Sequence, residues 1–302
     1  MNIIKHKKFF VFLSTFLVLL SLVVVGIKGI HYGIEFTGGS ALEMSYDTRP
    51  SMEAIHKIFK ENHIDADVQY FGDKSILVRS QDVSEEGRKK LVHSLEKIGK
   101  HGKIEKFSSI GPSVGKELRT KSLYALIFVS LGIVLFLAYA FRHVSRPVSS
   151  WKYGFVAVLA LFHDIIIPVG ILTLLGKDID TLYVVGLLSI LGLSVNDTIV
   201  VFDRIRENLA YNHDTKIKES FDELVNRAIT STMHRSIFTS LTLVVVLIAL
   251  YFVGPVATRT LSLVLLLGTI VGTYSSIFLA SPLLTYMTAG DHKSKKEKKN
   301  KK

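Results

Sequence analysis

Cysteine is absent from this chain of 302 residues, so neither a disulfide framework nor a thiolate metal site can be built from it. No H-E-x-x-H helix and no serine–histidine dyad occurs either. Between residues 30 and 121 the histidines His31, His56, His63, His93 and His101 are scattered singly, without metal-ligand spacing, and read as surface residues. No cofactor is expected, and an enzyme is the reading with least support. Charge is scarce: 21% of residues are charged against 48% hydrophobic, and the mean hydropathy of +0.36 is too high for a soluble protein of this length.

The charge that remains is unevenly placed. Net charge is +11, yet residues 30–121 hold 15 Lys/Arg against 14 Asp/Glu, a net of only +1. The other +10 sits almost wholly in short segments beside hydrophobic runs: Lys5, Lys7 and Lys8; Arg142, Arg146 and Lys152; and the tail from Lys293 to Lys302. Such a pattern sets membrane topology and does not mark a nucleic-acid footprint.

The apolar runs fall at about 9–28, 122–141, 154–175, 182–202, 236–253 and 261–287, each near the ~20 residues a helix needs to cross a bilayer. The first has a basic start, but its apolar run exceeds a signal-peptide core and no A-x-A-like site follows, so it reads as an uncleaved signal anchor. Basic residues collect before span one, between spans two and three, and after span six, which places both termini in the cytoplasm and residues 30–121 outside. The expected organisation is an N-terminus and first helix (1–29), an extracytoplasmic domain (30–121), helices two to six (122–288) with a cytoplasmic loop at 203–235, and a basic tail (289–302). In that loop Ile217, Phe221, Leu224, Val225, Ala228 and Ile229 recur at helical spacing, which predicts an amphipathic helix on the membrane surface or docked under the bundle. The lysine tail reads as a solvated end attracted to anionic lipid.

Residues 30–121 alternate in period. Strands are predicted at 41–46, 67–72, 75–80 and 103–110, and helices at 51–63 and 84–99, with Ser84 as a helix start and Gly99 and Gly102 as stops. The order βαββαβ matches a ferredoxin-like α+β sheet with two helices on one face. The fold class expected is therefore a six-helix membrane protein carrying this domain between its first two helices. Without catalytic or phosphate-binding motifs, the domain suits binding or mechanics.

Two spans carry acids where they are costly. Leu182–Phe202 contains Asn196 and Asp197, and the span at 154–175 contains His163 and Asp164. A carboxylate at the centre of a spanning helix costs about 2.5–3.5 kcal/mol on insertion scales, so one that persists is aimed at a partner or a wet pathway. Asp197 lies about five residues, or ~8 Å, inside the cytoplasmic face. Arg235, at the start of span five, has the reach to meet it, and such a pair can gate a proton. The competing reading has Arg235 snorkelling to headgroups and Asp197 capping a kink. Asp164 falls near the midplane, as part of a proton path or as a buried hydrogen bond. His163 projects ~100° away on the same helix, so the two are not expected to face one partner. Gly186, Ile190, Leu193, Ser194 and Asp197 share a face, and Gly268 with Gly272 forms a GxxxG read as packing. Pro168 suggests a kink, and Gly254–Pro255 a helix end.

The run SVNDTIVVFDRIREN (194–208), with Asp203 and Arg204 inside it, closely resembles the signature of the SecF branch of the SecD/SecF protein-export family. GIEFTGGS (33–40) is similar to that family's GIDFTGG motif, with Gly38 and Gly39 kept and Glu35 replacing the usual aspartate. IGPSVGKEL (110–118), LFHDIIIPVGIL (161–172) and TMHRSIFTSLT (232–242) match further family segments. The resemblance runs from the first span to the sixth. It implies a partner, SecD, in a twelve-span assembly similar to the RND superfamily. It further implies work beside the SecYEG channel and the SecA motor, with the proton-motive force promoting late translocation and release of an exported unfolded polypeptide. By motif, the family's proton-transport aspartate and arginine fall on Asp197 and Arg235, with Asp164 a weaker carry-over. A stand-alone RND-like exporter and a passive scaffold are the competing readings.

Overall fold

The computed structural model describes residues 2–62, 64, 66–71, 74–80, 85–99, 101–141, 149–255 and 258–288. The expectations for His63, Gly72, Ser84, Arg142, Arg146 and the tail 289–302 lie outside the described residues. In chain order the elements are α1 (Lys7–Lys28), the one-turn α2 (Ile34–Thr37), β1 (Gly39–Ser45), α3 (Met52–Glu61), β2 (Ala66–Phe71), β3 (Ser75–Ser80), α4 (Glu85–Ile98) and β4 (Lys103–Ile110). There follow α5 (Pro112–Ala140), α6 (Ser150–Leu174), α7 (Thr181–Asp214), α8 (Phe221–Val253) and α9 (Arg259–Ser275), the last continuing through a π-helical stretch, Ser276–Ala280, as far as Thr288. Contacts divide the chain into two units. One is made of the described residues of Met1–His31, Tyr124–Asp178 and Leu182–Lys302; the other is Tyr32–Leu123 with Ile179–Thr181.

The first unit is helical, and among the described residues six helices are long and apolar enough to cross a membrane. Helices suit that role because each satisfies its own backbone hydrogen bonds. In α6, α7 and the α9 span about half of the most apolar stretch is buried inside the chain, against 11% or less in α1, α5 and α8. The outer three helices thus leave wide apolar faces open, with Phe12, Phe128 and Phe238 among the exposed side chains. Glycines bring the inner helices close. Gly268 lies against Ile190, Gly272 against Ser194, and a Cβ at Gly186 would sit 2.6 Å from Val264. The GxxxG of span six is therefore a packing seam between α9 and α7. Helix α6 continues through Pro168, whose missing N–H removes the helical donor to the Asp164 carbonyl.

The loop at 203–235 is corrected by the structure. No separate amphipathic helix lies there: α7 runs on to Asp214 and α8 already starts at Phe221, with a capping box in which Ser220 and Glu223 satisfy each other's backbone donors. The apolar positions Leu224, Val225, Ala228 and Ile229 are buried in the bundle core with Phe202 and Ile205, whereas Ile217 is exposed. Their period was real; what lengthened the helices is that this stripe had a core to pack on. The N-terminus closes the same core. Ile3 and Ile4 are buried, their amides donate to Asn226 Oδ1 at 2.8 and 3.4 Å, and Lys7 Nζ reaches Asp222 at 2.6 Å.

The second unit holds a four-stranded antiparallel sheet in the order β2-β3-β1-β4, with a register shift between Glu43 and Met44. One core joins the sheet residues Leu42, Met44, Ile76 and Val78 to Ile55, Ile58 and Phe59 of α3 and Leu91 and Leu95 of α4. Ser51 caps α3, its Oγ accepting from the Ala54 amide at 3.3 Å. Tyr46 is buried beneath α4 and donates to the Leu95 carbonyl at 3.1 Å. Its ring explains the glycines after α4, because a Cβ on Gly102 would lie 2.9 Å from Tyr46 Cε1.

Candidate functional site

Asp197 projects from the middle of α7 and is half-buried. Ser240 of α8 and Thr273 of α9 both approach its Oδ2 at 3.4 Å, and Thr273 stands 2.6 Å from Ser240. Thr273 has one proton to give and also lies 2.8 Å from the Thr269 carbonyl, so the hydroxyls cannot all serve the carboxylate at once. Asp197 is thus loosely held. It borders a recess of about 80 Å³ between α7, α8 and α9, lined by Ser194, Asn196, Thr239, Ser240 and Thr273 among others, with room for a few waters. Arg235, one turn from Thr239 on α8, is exposed; it acts on Asp197 through its charge, but no contact of ion-pair length joins the two among the described residues.

Asp164 is held in the opposite manner. It is wholly enclosed, and its carboxylate meets Ser194 of α7, Ser275 of α9 at 2.8 Å, and His163 Nδ1 at 2.8 Å. His163 is buried too, with its ring stacked on Tyr274 at a centroid distance of 6.1 Å and no hydrogen-bond partner for Nε2 among the described residues. This corrects the expectation that His163 and Asp164 face different partners. Although ~100° apart in azimuth, both side chains converge on α9, at Tyr274 and Ser275, because that helix is close enough to span the difference. Ser194 links the two acids: it contacts Asp164 and also lines the Asp197 recess.

The remaining candidates sit elsewhere. Asn196 is exposed on α7. Asp203 pairs with Arg206 at 2.7 Å and Arg204 with Glu207 at 2.6 Å, both on the surface of α7, and Arg204 also donates to Ser231 Oγ of α8 at 3.2 Å. Gly38 and Gly39 lie in the other unit, Gly38 between α2 and β1 and Gly39 at the start of β1. Reading the sequence for acids missed the hydroxyls around them: Ser240, Thr273, Ser275, and the Thr198–Ser276 pair at 3.0 Å. The signal available was the density of serine and threonine inside otherwise apolar runs, such as TYSSIF at 273–278. Among the described residues no cluster of three His, Asp or Glu is placed to hold a metal ion.

Comparison with known proteins places the chain. The family profile "Protein export membrane protein SecD/SecF, C-terminal" matches residues 90–290, and the "SecD/SecF GG Motif" profile matches residues 23–48. The protein translocase subunit SecF of Thermobaculum terrenum is 37% identical, over 94% of this chain and 92% of its own. The SecF of Sebaldella termitidis is 34% identical over the whole of this chain and 96% of its own. Among solved structures, SecDF of Thermus thermophilus, a translocon-associated membrane protein, superposes with a TM-score of 0.84 at 31% identity, covering 96% of this chain and 39% of that longer one. The match to these relatives runs along nearly the full length, and the chain belongs to the SecD/SecF family of protein export membrane proteins, as a SecF-type subunit.

Proposed function

We propose that this subunit, completed by a SecD partner, uses the proton-motive force to promote the late translocation and release of exported polypeptides, with Asp197 as the residue that takes up and releases the proton. The observation that carries the reading is the loose tether of Asp197. A half-buried acid in an apolar helix, bordering a polar recess and held by hydroxyls at 3.4 Å, can change protonation without tearing out a built hydrogen-bond network. Arg235 gates that exchange from α8 when a rotamer change brings its guanidinium onto the carboxylate. Asp164 with His163 forms an inner station, and Ser194 bridges it to the recess. Each proton crossing a 100 mV potential supplies about 2.3 kcal/mol, so a few suffice to bias a domain motion.

In this reading the chain lies in the cytoplasmic membrane with both termini inside, and residues 30–121 form an extracytoplasmic domain. The strand order β2-β3-β1-β4, with α3 and α4 sharing one core, supports a ferredoxin-like description of that domain. The partners are SecD, the SecYEG channel, the SecA motor, the unfolded exported chain and the surrounding lipid. No catalytic step is assigned to any residue.

Pulse-chase export of a secreted precursor tests the proposal, in cells carrying wild type, Asp197→Asn or Arg235→Met at matched protein levels, with an uncoupler as reference. Both substitutions are expected to slow export as uncoupling does. Unchanged export with loss of solute efflux supports an exporter instead, and no change in either supports a scaffold.

A further inference from the structure

The three residues Ile179–Thr181 follow α6 and open α7, yet by their contacts they belong to the sheet unit. Their tether is the segment before β1. Tyr32 and Ile179 form a parallel β-bridge, and the Gly33 amide donates to the Ile179 carbonyl at 2.9 Å. Gly33 admits no side chain: a Cβ there would lie 2.6 Å from a Glu35 carboxylate oxygen, 3.3 Å from the Ile179 carbonyl and 3.5 Å from Asp180 Cβ. The same segment grips the start of α5. Gly38 has φ +78°, and a Cβ on it would come within 2.6 Å of the Pro112 backbone, while a Cβ on Gly115 would sit 2.8 Å from the Gly38 nitrogen. Arg119 of α5 stacks over the Tyr32 ring at 4.2 Å and donates to its hydroxyl at 3.2 Å.

Charge ties this knot to the sheet. Arg79 sits near the end of β3, half-buried, 3.7 Å from Asp67, with Glu35 and Asp180 close enough to act on its guanidinium. Burial works against that charge and the three carboxylates work for it. One arginine thus pairs with an acid of β2 and lies in the field of acids from the Gly33–Gly38 turn and from the link into α7.

We propose that residues 32–38, clasped between the start of α5 and Ile179–Thr181, are the joint that couples the sheet domain to α7, with Arg79 as its positioning residue. From Thr181 the helix runs without a break to Asp197, sixteen residues or ~24 Å along one rod, so a displacement of the link is delivered along the helix that carries the acid. A closed joint is the working state: it transmits motion because backbone bridge, glycine contacts and ion cluster leave it no slack. The role for Asp197 proposed above gives the coupling its consequence, but the joint itself is read from its own contacts.

The chain has no cysteine, so Tyr32→Cys with Ile179→Cys makes the sole possible disulfide. Bridged strands lie about 4.8 Å apart, inside the span a disulfide accepts. In cells holding the whole export apparatus, oxidation is expected to link the pair and to leave export no slower than in the same chain reduced, the loss of the Arg119–Tyr32 contact being common to both. Arg79→Met, and separately Asp180→Asn, at matched chain levels, are expected to slow export severalfold, and the disulfide is expected to restore either variant. Rescue by the link distinguishes a lost position from a lost fold. Failure of the pair to form, arrest of export by the link in an otherwise wild-type chain, normal export in both charge variants, or charge variants that the link does not restore would each overturn the joint. Asp197→Asn run alongside keeps the tests apart: normal export there sinks the proton reading while the Arg79 and link results still judge the joint.

Discussion

The two membrane acids differ in how tightly neighbouring hydroxyls hold them, and that difference sets what each substitution should cost. Removing a donor from Asp164 opens an enclosed network, so Ser275→Ala is expected to lower stability by roughly 1–2 kcal/mol, and Asp164→Ala by more, since it strands several buried donors at once. Ser240→Ala loses the 3.4 Å contact with Asp197 and the 2.6 Å contact with Thr273, but Thr273 keeps the Thr269 carbonyl as an acceptor, so it should cost under about 1 kcal/mol. Thermal unfolding of the purified chain in detergent checks the order; equal effects would contradict the contrast. In the sheet domain, burial first and Glu96 second push the Tyr46 hydroxyl up to about 12. Because its neutral form is favoured when folded, its contribution is intact below pH ~10 and fades as pH rises from 10 towards 12. Tyr46→Phe should therefore flatten the alkaline loss of stability over that window while losing the Leu95 hydrogen bond, about 1 kcal/mol, at neutral pH. At this scale Asp197 and Asp164 were legible from the sequence because a carboxylate stands out in an apolar run. Ser240, Thr273 and Ser275 were not, since a helical hydroxyl commonly bonds its own preceding turn, as Thr239 does with the Arg235 carbonyl, and only helix rotation decides which ones reach across.

Helices were easier to read than their ends. A 3.6-residue period and ~20 apolar residues locate a span, but nothing in α7 stops the helix at Phe202, and Ile205 continues the buried stripe onto the chain core. The apolar spacing from Leu224 to Ile229 was visible as helical, while its belonging to α8 depended on the Ser220–Glu223 capping box and on the core beneath it. In the sheet unit the strand and helix order followed the sequence pattern closely, whereas α2 was too short to leave a periodic trace. The glycines give an element-scale prediction. Gly268→Leu drives side-chain volume into Ile190 and should cost about 1–3 kcal/mol by overpacking. Gly132→Leu in α5, where no described residue comes within 4 Å of an added Cβ, should be neutral or better. Similar losses at both sites would show that α7 and α9 do not meet at Gly268.

At the scale of the molecule, burial is lopsided. α6, α7 and α9 enclose the acids, and α1, α5 and α8 keep apolar faces for lipid or a partner. Arg235 is exposed on one of these outer helices, so the gate proposed for it depends on what surrounds it in an assembly. The SecDF of Thermus thermophilus is more than twice this chain's length, which supports reading the six helices as one part of a larger bundle. Nothing in a single sequence reports a partner, because a lipid-facing residue and a partner-facing one are equally apolar. The most direct test is proton uptake into sealed vesicles under an imposed potential, with this chain alone, with its SecD partner, and with Asp197→Asn in the paired complex. The account predicts uncoupler-sensitive flux only from the paired wild type. Flux from the lone chain, or equal flux from the paired Asp197→Asn complex, would contradict it.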